Sequence, residues 1–383
     1  FTGESDTKVY NGSEQSITGI TVDALKPGHR YEGLTYAAKG TDKGEYVGAF
    51  TGTVKILDEN NVDVTENYAV TKTPGKLTIT SPDTVIVTIR GNTATFEYDG
   101  KKQEVNGYEV VSISNTLYTE ADFDFADGAA AHAEGTDAGD YFMNLTKDSF
   151  VNKNGNFTSV NFVVEDGKLT ITRRGLDEEN LVKIIAADNT VYYDGQPHGA
   201  KLNAAGQIEV NVSYTTEYLA PGHKVQSVVI DGSRTKVGLY KDELVPKSAV
   251  IVDKTDKDVT ENYEITYVRG TLEIRKNETE IKVTANSHTW EYDGQAHSDG
   301  GYTVTYGEES YTVKAGESAT LSTGDKVTAV VKGQVKDVDD TKAGNNEIVE
   351  WSVEHRDFYN NVTSANGTLT ITPRKVTLTS ASD

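Results

Sequence analysis

The chain has no cysteine among its 383 residues, which excludes disulfide bridges and thiolate metal sites as its means of cohesion. It has no apolar run near the roughly 20 residues that span a bilayer, so no membrane insertion is expected of these residues. Basic charge is scarce: 37 Lys and Arg stand against 59 Asp and Glu, a formal charge of −22. That balance repels nucleic acid and anionic membranes and keeps a long chain soluble. Tryptophan occurs twice and tyrosine 21 times, which suits strands with one wet and one dry face. No apolar pattern of period 3.6 persists for three turns, whereas period-2 runs such as TVIVTIRG, EIKVTAN and KVTAVVKG recur. Those runs predict an all-β fold.

What the chain does contain is a repeat. The run WEYDGQAH at 290–297 returns as VYYDGQPH at 191–198, FEYDGKKQ at 96–103 and KVYNGSEQ at 8–15. The tyrosines Tyr10, Tyr98, Tyr193 and Tyr292 lie 88, 95 and 99 residues apart, right for an array of small domains. Each Tyr precedes Asp-Gly or Asn-Gly, with the glycine at Gly12, Gly100, Gly195 and Gly294. Such a dipeptide between polar alternating runs predicts a type I′ β-hairpin, with positive φ at both central residues. Four domains follow, at 1–81, 82–174, 175–277 and 278–375, with 376–383 opening a further strand. A repeat of this size buries a little over about 60% of its unfolded surface, enough to fold but not to build a thick core.

Other elements recur in fixed order. A turn follows the first motif, as Lys26-Pro27-Gly28-His29, Pro221-Gly222-His223 and Gly324-Asp325. Then come GTDKGEY, GTDAGDY and GSRTKVGLY, and each unit closes on a pattern such as DVTENYEITYVRGTLEI. Its ENY tyrosine is expected to cover the core edge and its Asn to fix a turn. Two stretches depart from the pattern: FADGAAAHAEG at 125–135, expected as a short helix or a loop, and the acidic KDVDDTKAGNN at 336–346. Short strands with turns every 8 to 12 residues predict four tandem immunoglobulin-like β-sandwich domains in an elongated array. A thin β-grasp-like sheet crossed by one helix is the alternative, supported by the alanine run.

The combination YDGQPH, PGHKVQSVVIDGSRTKVGLY and DVTENYEITYVRGTLEI resembles the MBG or YDG repeat domains of bacterial cell-surface proteins and adhesins. The resemblance is strong in the third and first units, moderate in the fourth and weak in the middle of the second. It implies a tandem-repeat, extracellular role on a surface molecule, cell-wall anchored in the full-length protein, and it brings no catalytic residue and no cofactor.

Chemistry-bearing motifs are few. His198 and His297 occupy the same place in successive repeats, without metal-ligand spacing. No zinc motif, nucleophile elbow, phosphate loop or dinucleotide fingerprint occurs. Asp122, Asp124 and Asp127, and Asp337, Asp339 and Asp340, are candidate calcium loops that read better as solvated acid. Lys8 near Asn67 is the candidate for a Lys–Asn isopeptide link, but the matching positions Phe96, Val191 and Trp290 argue for packing instead. The functional expectation is a non-enzymatic stalk or display segment of an adhesin, monomeric, taken from a longer array. Alternatively, one unit binds a host or environmental glycan or protein through 125–135 or 336–346. Short junctions between units predict a rod on the order of 130 Å, from strands rising about 3.3 Å per residue.

Overall fold

The computed structural model describes residues 1–202, 208–209 and 213–380. The chain divides into two compact units, Phe1–Arg173 and Arg174–Asp383, and each contains two of the sequence repeats. Among the described residues the regular structure is β-strand with short 3-10 turns and no α-helix. Alternation places the apolar side chains: in Val85–Gly91 the residues Val85, Val87 and Ile89 are fully buried, while Ile86 between them is exposed.

Every repeat uses the same pairing logic, clearest in the second. The opening strand Val85–Gly91 lies between Tyr108–Ile113, antiparallel, and Val160–Glu165, parallel. The next strand, Thr93–Glu97, pairs parallel with the closing strand Lys168–Thr172, whose other edge takes Gly139–Phe142. Consecutive opening strands therefore belong to different sheets, and so do the two strands that end the repeat. The third and fourth repeats reproduce both parallel pairs. In the first repeat, Asp6–Val9 runs parallel to Lys76–Thr80, and Leu77 and Ile79 pack against Tyr36 and Ala38 of a second sheet. The result is a β-sandwich. In Arg174–Asp383 one buried cluster runs from Ile184 and Leu272 through Ile281 to Val327 and Tyr359, so the third and fourth repeats share a continuous core.

The crossing from sheet to sheet explains one glycine. Where the sequence reads as a turn or bulge at Pro74-Gly75, the chain instead steps between sheets at the point where the opening segment makes its own step. A Cβ on Gly167 would lie 2.7 Å from Asn92 O, and one on Gly270 would lie 2.7 Å from Ala186 O. Gly75 against Glu4 O and Gly367 against Asn286 O are tighter still. Two backbones pass with no room for a side chain, which only glycine permits.

Three expectations need correction. The Tyr-Asp-Gly motif is not a hairpin: Thr93–Glu97 and Gln103–Asn106 pair in different sheets, as do Asn189–Tyr192 and His198–Gly199. It is a corner. The glycines have φ of 78°, 78°, 80° and 79° at Gly12, Gly100, Gly195 and Gly294, but the preceding Asn or Asp is not in the positive-φ region. Instead its Oδ1 accepts the N–H two residues on, at 3.0 Å for Asn11, 2.9 Å for Asp99 and 2.8 Å for both Asp194 and Asp293, an Asx turn. Second, of the two forms expected for residues 125–135, the loop is present and the short helix is not. The strand Phe123–Phe125 ends in a turn closed by Ala129 N–H on Ala126 O, and His132–Gly135 follows. Third, with no helix there, the β-grasp alternative loses its support.

The crossing makes a test. Gly367→Ala must displace backbone and should lower stability by about 1 to 3 kcal/mol, whereas Gly155→Ala, with open space around it, should change it by less than about 0.5 kcal/mol. Denaturant melts compare the two, and equal effects would remove the crossing account.

Candidate functional site

The corner is pinned where one repeat ends. The backbone N–H of Tyr10, Tyr98, Tyr193 and Tyr292 donates at 2.9 Å to the carbonyl of Thr80, Thr172, Arg275 and Thr372 respectively, the last residue or position of each closing strand. The phenol is thus held at the end of its own sandwich, beside the chain leading onward.

A second feature sits at the opposite end of each repeat. In the first, Pro27-Gly28 makes a turn closed by His29 N–H on Lys26 O at 3.0 Å, with Gly28 at φ 83°. His29 then meets the ENY tyrosine: Tyr68 OH lies 2.8 Å from His29 Nδ1 and accepts from Lys26 N–H at 3.3 Å. The third repeat repeats this, with Tyr263 OH 2.7 Å from His223 Nδ1 and 3.2 Å from Ala220 N. In the second, Tyr118 and Phe157 stand at these two places and pack edge to face at 5.1 Å. In the fourth, Asp325 replaces the histidine and accepts from Tyr359 OH at 2.6 Å. The chemistry varies and the place does not.

Within each compact unit the tyrosine of one repeat enters this clasp in the next. Tyr10 packs edge to face on Phe157 at 5.7 Å, and Asn156 accepts Lys43 N–H at 2.7 Å while donating to Asp42 Oδ1 at 3.0 Å. Tyr193 packs on Phe358 at 5.0 Å and on Tyr359 at 5.7 Å, again edge to face. Its OH donates to Asp325 Oδ2 at 3.0 Å, and its carbonyl accepts from Asn277 Nδ2 at 2.7 Å. Asp325, with its side chain 5% exposed, also accepts from His355 Nδ1 at 2.8 Å. Three donors around one buried carboxylate are what such a charge requires. Burial, and then the hydrogen bond to Asp325, push the phenols of Tyr193 and Tyr359 well above the ordinary tyrosine range. Tyr118 is raised to about 12, first by burial and then by nearby Asp122.

The remaining candidates disperse. His198 and His297 bond locally, each Nε2 to the corner aspartate four residues back, at 2.8 and 2.9 Å. Trp290 stacks on His288 and on His297, with centroids at 4.2 and 4.9 Å. The acidic stretches spend carboxylate oxygens on their own backbone. Asp122 accepts Thr119 N–H at 2.7 Å, and Asp340 accepts the N–H of Asp337 and Lys336, which together hold its carboxyl below the usual range. Asp124 is paired with Lys153 at 3.1 Å. Lys8 Nζ donates to Ser16 O at 2.8 Å. Glu104, His132 and Glu134 come within metal-ligand range of one another on neighbouring strands; Lys102 is ion-paired with Glu134, and His132 Nδ1 is bonded to Asn106. Sequence reasoning picked out the corner tyrosines but missed the clasp, because Tyr118 and Phe157 in the second repeat and Asp325 and Phe358 in the fourth depart from PGH and ENY. The available signal was position, one residue after the turn and at the ENY aromatic.

Two substitutions isolate the contact. Gly195→Ala and Gly294→Ala each force a side chain to φ near 80°, at about 1 kcal/mol, but only the Cβ at 195 would run into Thr323 O. Gly195→Ala should therefore cost clearly more in thermal unfolding of Arg174–Asp383; equal losses would deny that this corner bears on the fourth repeat. The raised phenols give a pH test. Tyrosines titrate near 10 when unfolded and higher here, so their stabilisation is complete below about pH 10 and is lost as pH rises through the folded values. Tyr359→Phe should make the loss above pH 10 shallower, and an unchanged slope would contradict the assignment.

No curated protein matches the chain. Among solved structures, the chain is similar to the N-terminal eight Ig domains of Down Syndrome Cell Adhesion Molecule at 12% identity, over 96% of this chain and 53% of that one, with a TM-score of 0.18. It is also similar to the N-terminal four Ig domains of a Dscam1 isoform at 9% identity, over 94% and 91%, with a TM-score of 0.14. Superposition that poor carries no argument about arrangement, and the chain spans about half the length of the first of these. The family comparison falls on the repeat whose middle diverges most: residues 85–173 match the model of the MBG domain.

Proposed function

We propose that this chain is a non-catalytic stalk or display segment of a bacterial cell-surface adhesin, extracellular, with its repeats acting as spacers. The observation that carries the reading is the seating of Tyr193 among Phe358, Tyr359 and Asp325, with Tyr10 on Phe157 as its counterpart. A repeat that uses its most distinctive residue to hold the next one is built for succession. The MBG match supports the same reading, since that domain type is a surface-protein repeat. The single sign of the net charge, −22, opposes collapse of the array.

The rival reading assigns ligand binding to 125–135 or 336–346. Both stretches are engaged internally: Phe125 stacks on Phe150 at 5.2 Å, and Asn346 donates to Asn286 O and Asp299 O at 2.8 and 2.9 Å.

Small-angle scattering of the dilute chain, with binding assays on host glycans and proteins, separates the two. A spacer predicts a largest dimension on the order of 130 Å and no saturable binding. A compact particle, or affinity abolished by substitutions in one divergent stretch, would replace the spacer by a binding protein.

A further inference from the structure

The strands Gln103–Asn106 and His132–Gly135 of the second repeat pair as a two-stranded sheet. Val105 and Ala133 turn inward and are buried, so Glu104 and Asn106 on one strand and His132 and Glu134 on the other share the opposite, wetter face, beside the exposed Lys102. The register sets Glu104 directly opposite Glu134 and Asn106 directly opposite His132. Like charges facing each other across a ladder destabilise it. The pair therefore calls for a cation. Other repeats do not build this arrangement: at the matching register the first has Ser16 against Lys39 and the third has Gly199 against Ser233. Where the second repeat has His132, the first has Ala37.

Lys102 answers one of the two carboxylates, Glu134. Glu104 receives only a neutral amide from this face, Asn106 Nδ2 at 3.4 Å. That contact also orients the amide, since a carboxylate accepts and Nδ2 must face it. Asn106 Oδ1 then lies 2.7 Å from His132 Nδ1 and takes the ring's proton as its hydrogen bond. In a neutral ring Nε2 is left bare, with its lone pair turned to Glu134 Oε2 at 3.0 Å. Acceptor meets acceptor there, beside two opposed carboxylates.

We propose that Glu104, His132 and Glu134 bind one divalent transition-metal ion of the Zn²⁺ class, through His132 Nε2 and an oxygen of each carboxylate. These ligand atoms lie within 4.8 Å of one another, and small side-chain adjustments bring them to zinc's bond lengths of about 2.0 to 2.2 Å. Three protein ligands leave a fourth position to water. Asn106 is then the outer partner that fixes the tautomer and direction of the imidazole. One imidazole with two carboxylates favours Zn²⁺ and its neighbours over Ca²⁺, which takes about six to eight oxygens. Lys102 competes with the ion, because it must leave Glu134 as the ion arrives. A clip across the pair supports a ladder of two strands, which is marginal alone. The site needs nothing from the surface-display reading and stands or falls separately.

Zn²⁺ is titrated into the chelator-stripped full chain, with isothermal calorimetry and thermal unfolding as the readouts. The expected result is saturable binding that His132→Ala and Glu104→Gln each weaken at least about tenfold. Zn²⁺ should raise the melting temperature by mass action, and Ca²⁺ should not. The melting of the metal-free variants checks that their folds are kept. Lys102→Met should tighten binding, because it frees Glu134; a cluster that serves only to hold the two strands together would show no such gain. Zn²⁺ binding that His132→Ala leaves unchanged belongs to another histidine and would overturn the proposal. So would the lack of saturable uptake up to about 1 mM, which leaves a proton on His132 Nε2 as the cation, or stabilisation by Ca²⁺ equal to that by Zn²⁺.

Discussion

The contact on which most of this molecule depends is ring on ring, a corner tyrosine of one repeat against the clasp aromatic of the next. A sandwich of this size leaves its core open at the ends, where strands stop and loops are too polar to cover it. Within each compact unit, one end of a repeat is covered by the repeat that follows. Tyr193 lies among Phe358 and Tyr359 with its hydroxyl on Asp325, and the buried cluster of Arg174–Asp383 runs through both repeats without a break. The Asx turn, the positive-φ glycine and the anchor of the tyrosine N–H on the closing strand all serve to aim that one side chain.

The polar chemistry follows the same purpose. Asp325 would be costly alone in such a place and is tolerable because Tyr193, Tyr359 and His355 all donate to it; removing a donor leaves a charge short of partners. Elsewhere several of the aspartates are turn acceptors. Asp63 and Asp258 hold the N–H of Thr65 and Thr260 at 3.0 and 2.9 Å, and those threonines accept from Ile56 and Ile251.

The all-β class and the repeat were readable in the sequence because alternation and a motif recurring at even spacing are local signals. The pairing was not. Asp-Gly after an alternating run suits a hairpin and a corner equally, and what decides is a parallel partner more than 70 residues away, as Thr93–Glu97 finds at Lys168–Thr172. The glycine of PGKLTIT, DGKLTIT, RGTLEI and NGTLTI was visible as a recurring letter, but its cause is the backbone crossing it, which no local pattern contains. The clasp was hidden for a different reason. Its members are chemically interchangeable, His with Tyr as ring contacts and His with Asp as hydrogen-bond partners of a phenol, so identity changed while position held.

The claim that the corner and the clasp form one energetic unit is open to a double-mutant cycle. Unfolding free energies for Tyr193→Ala, Tyr359→Ala and the double variant give the coupling between two residues on different repeats. An edge-to-face pair that also shares one buried carboxylate predicts a coupling of at least about 1 kcal/mol. Additivity within about 0.5 kcal/mol would contradict it and leave the two rings as neighbours with no part in holding the repeats together.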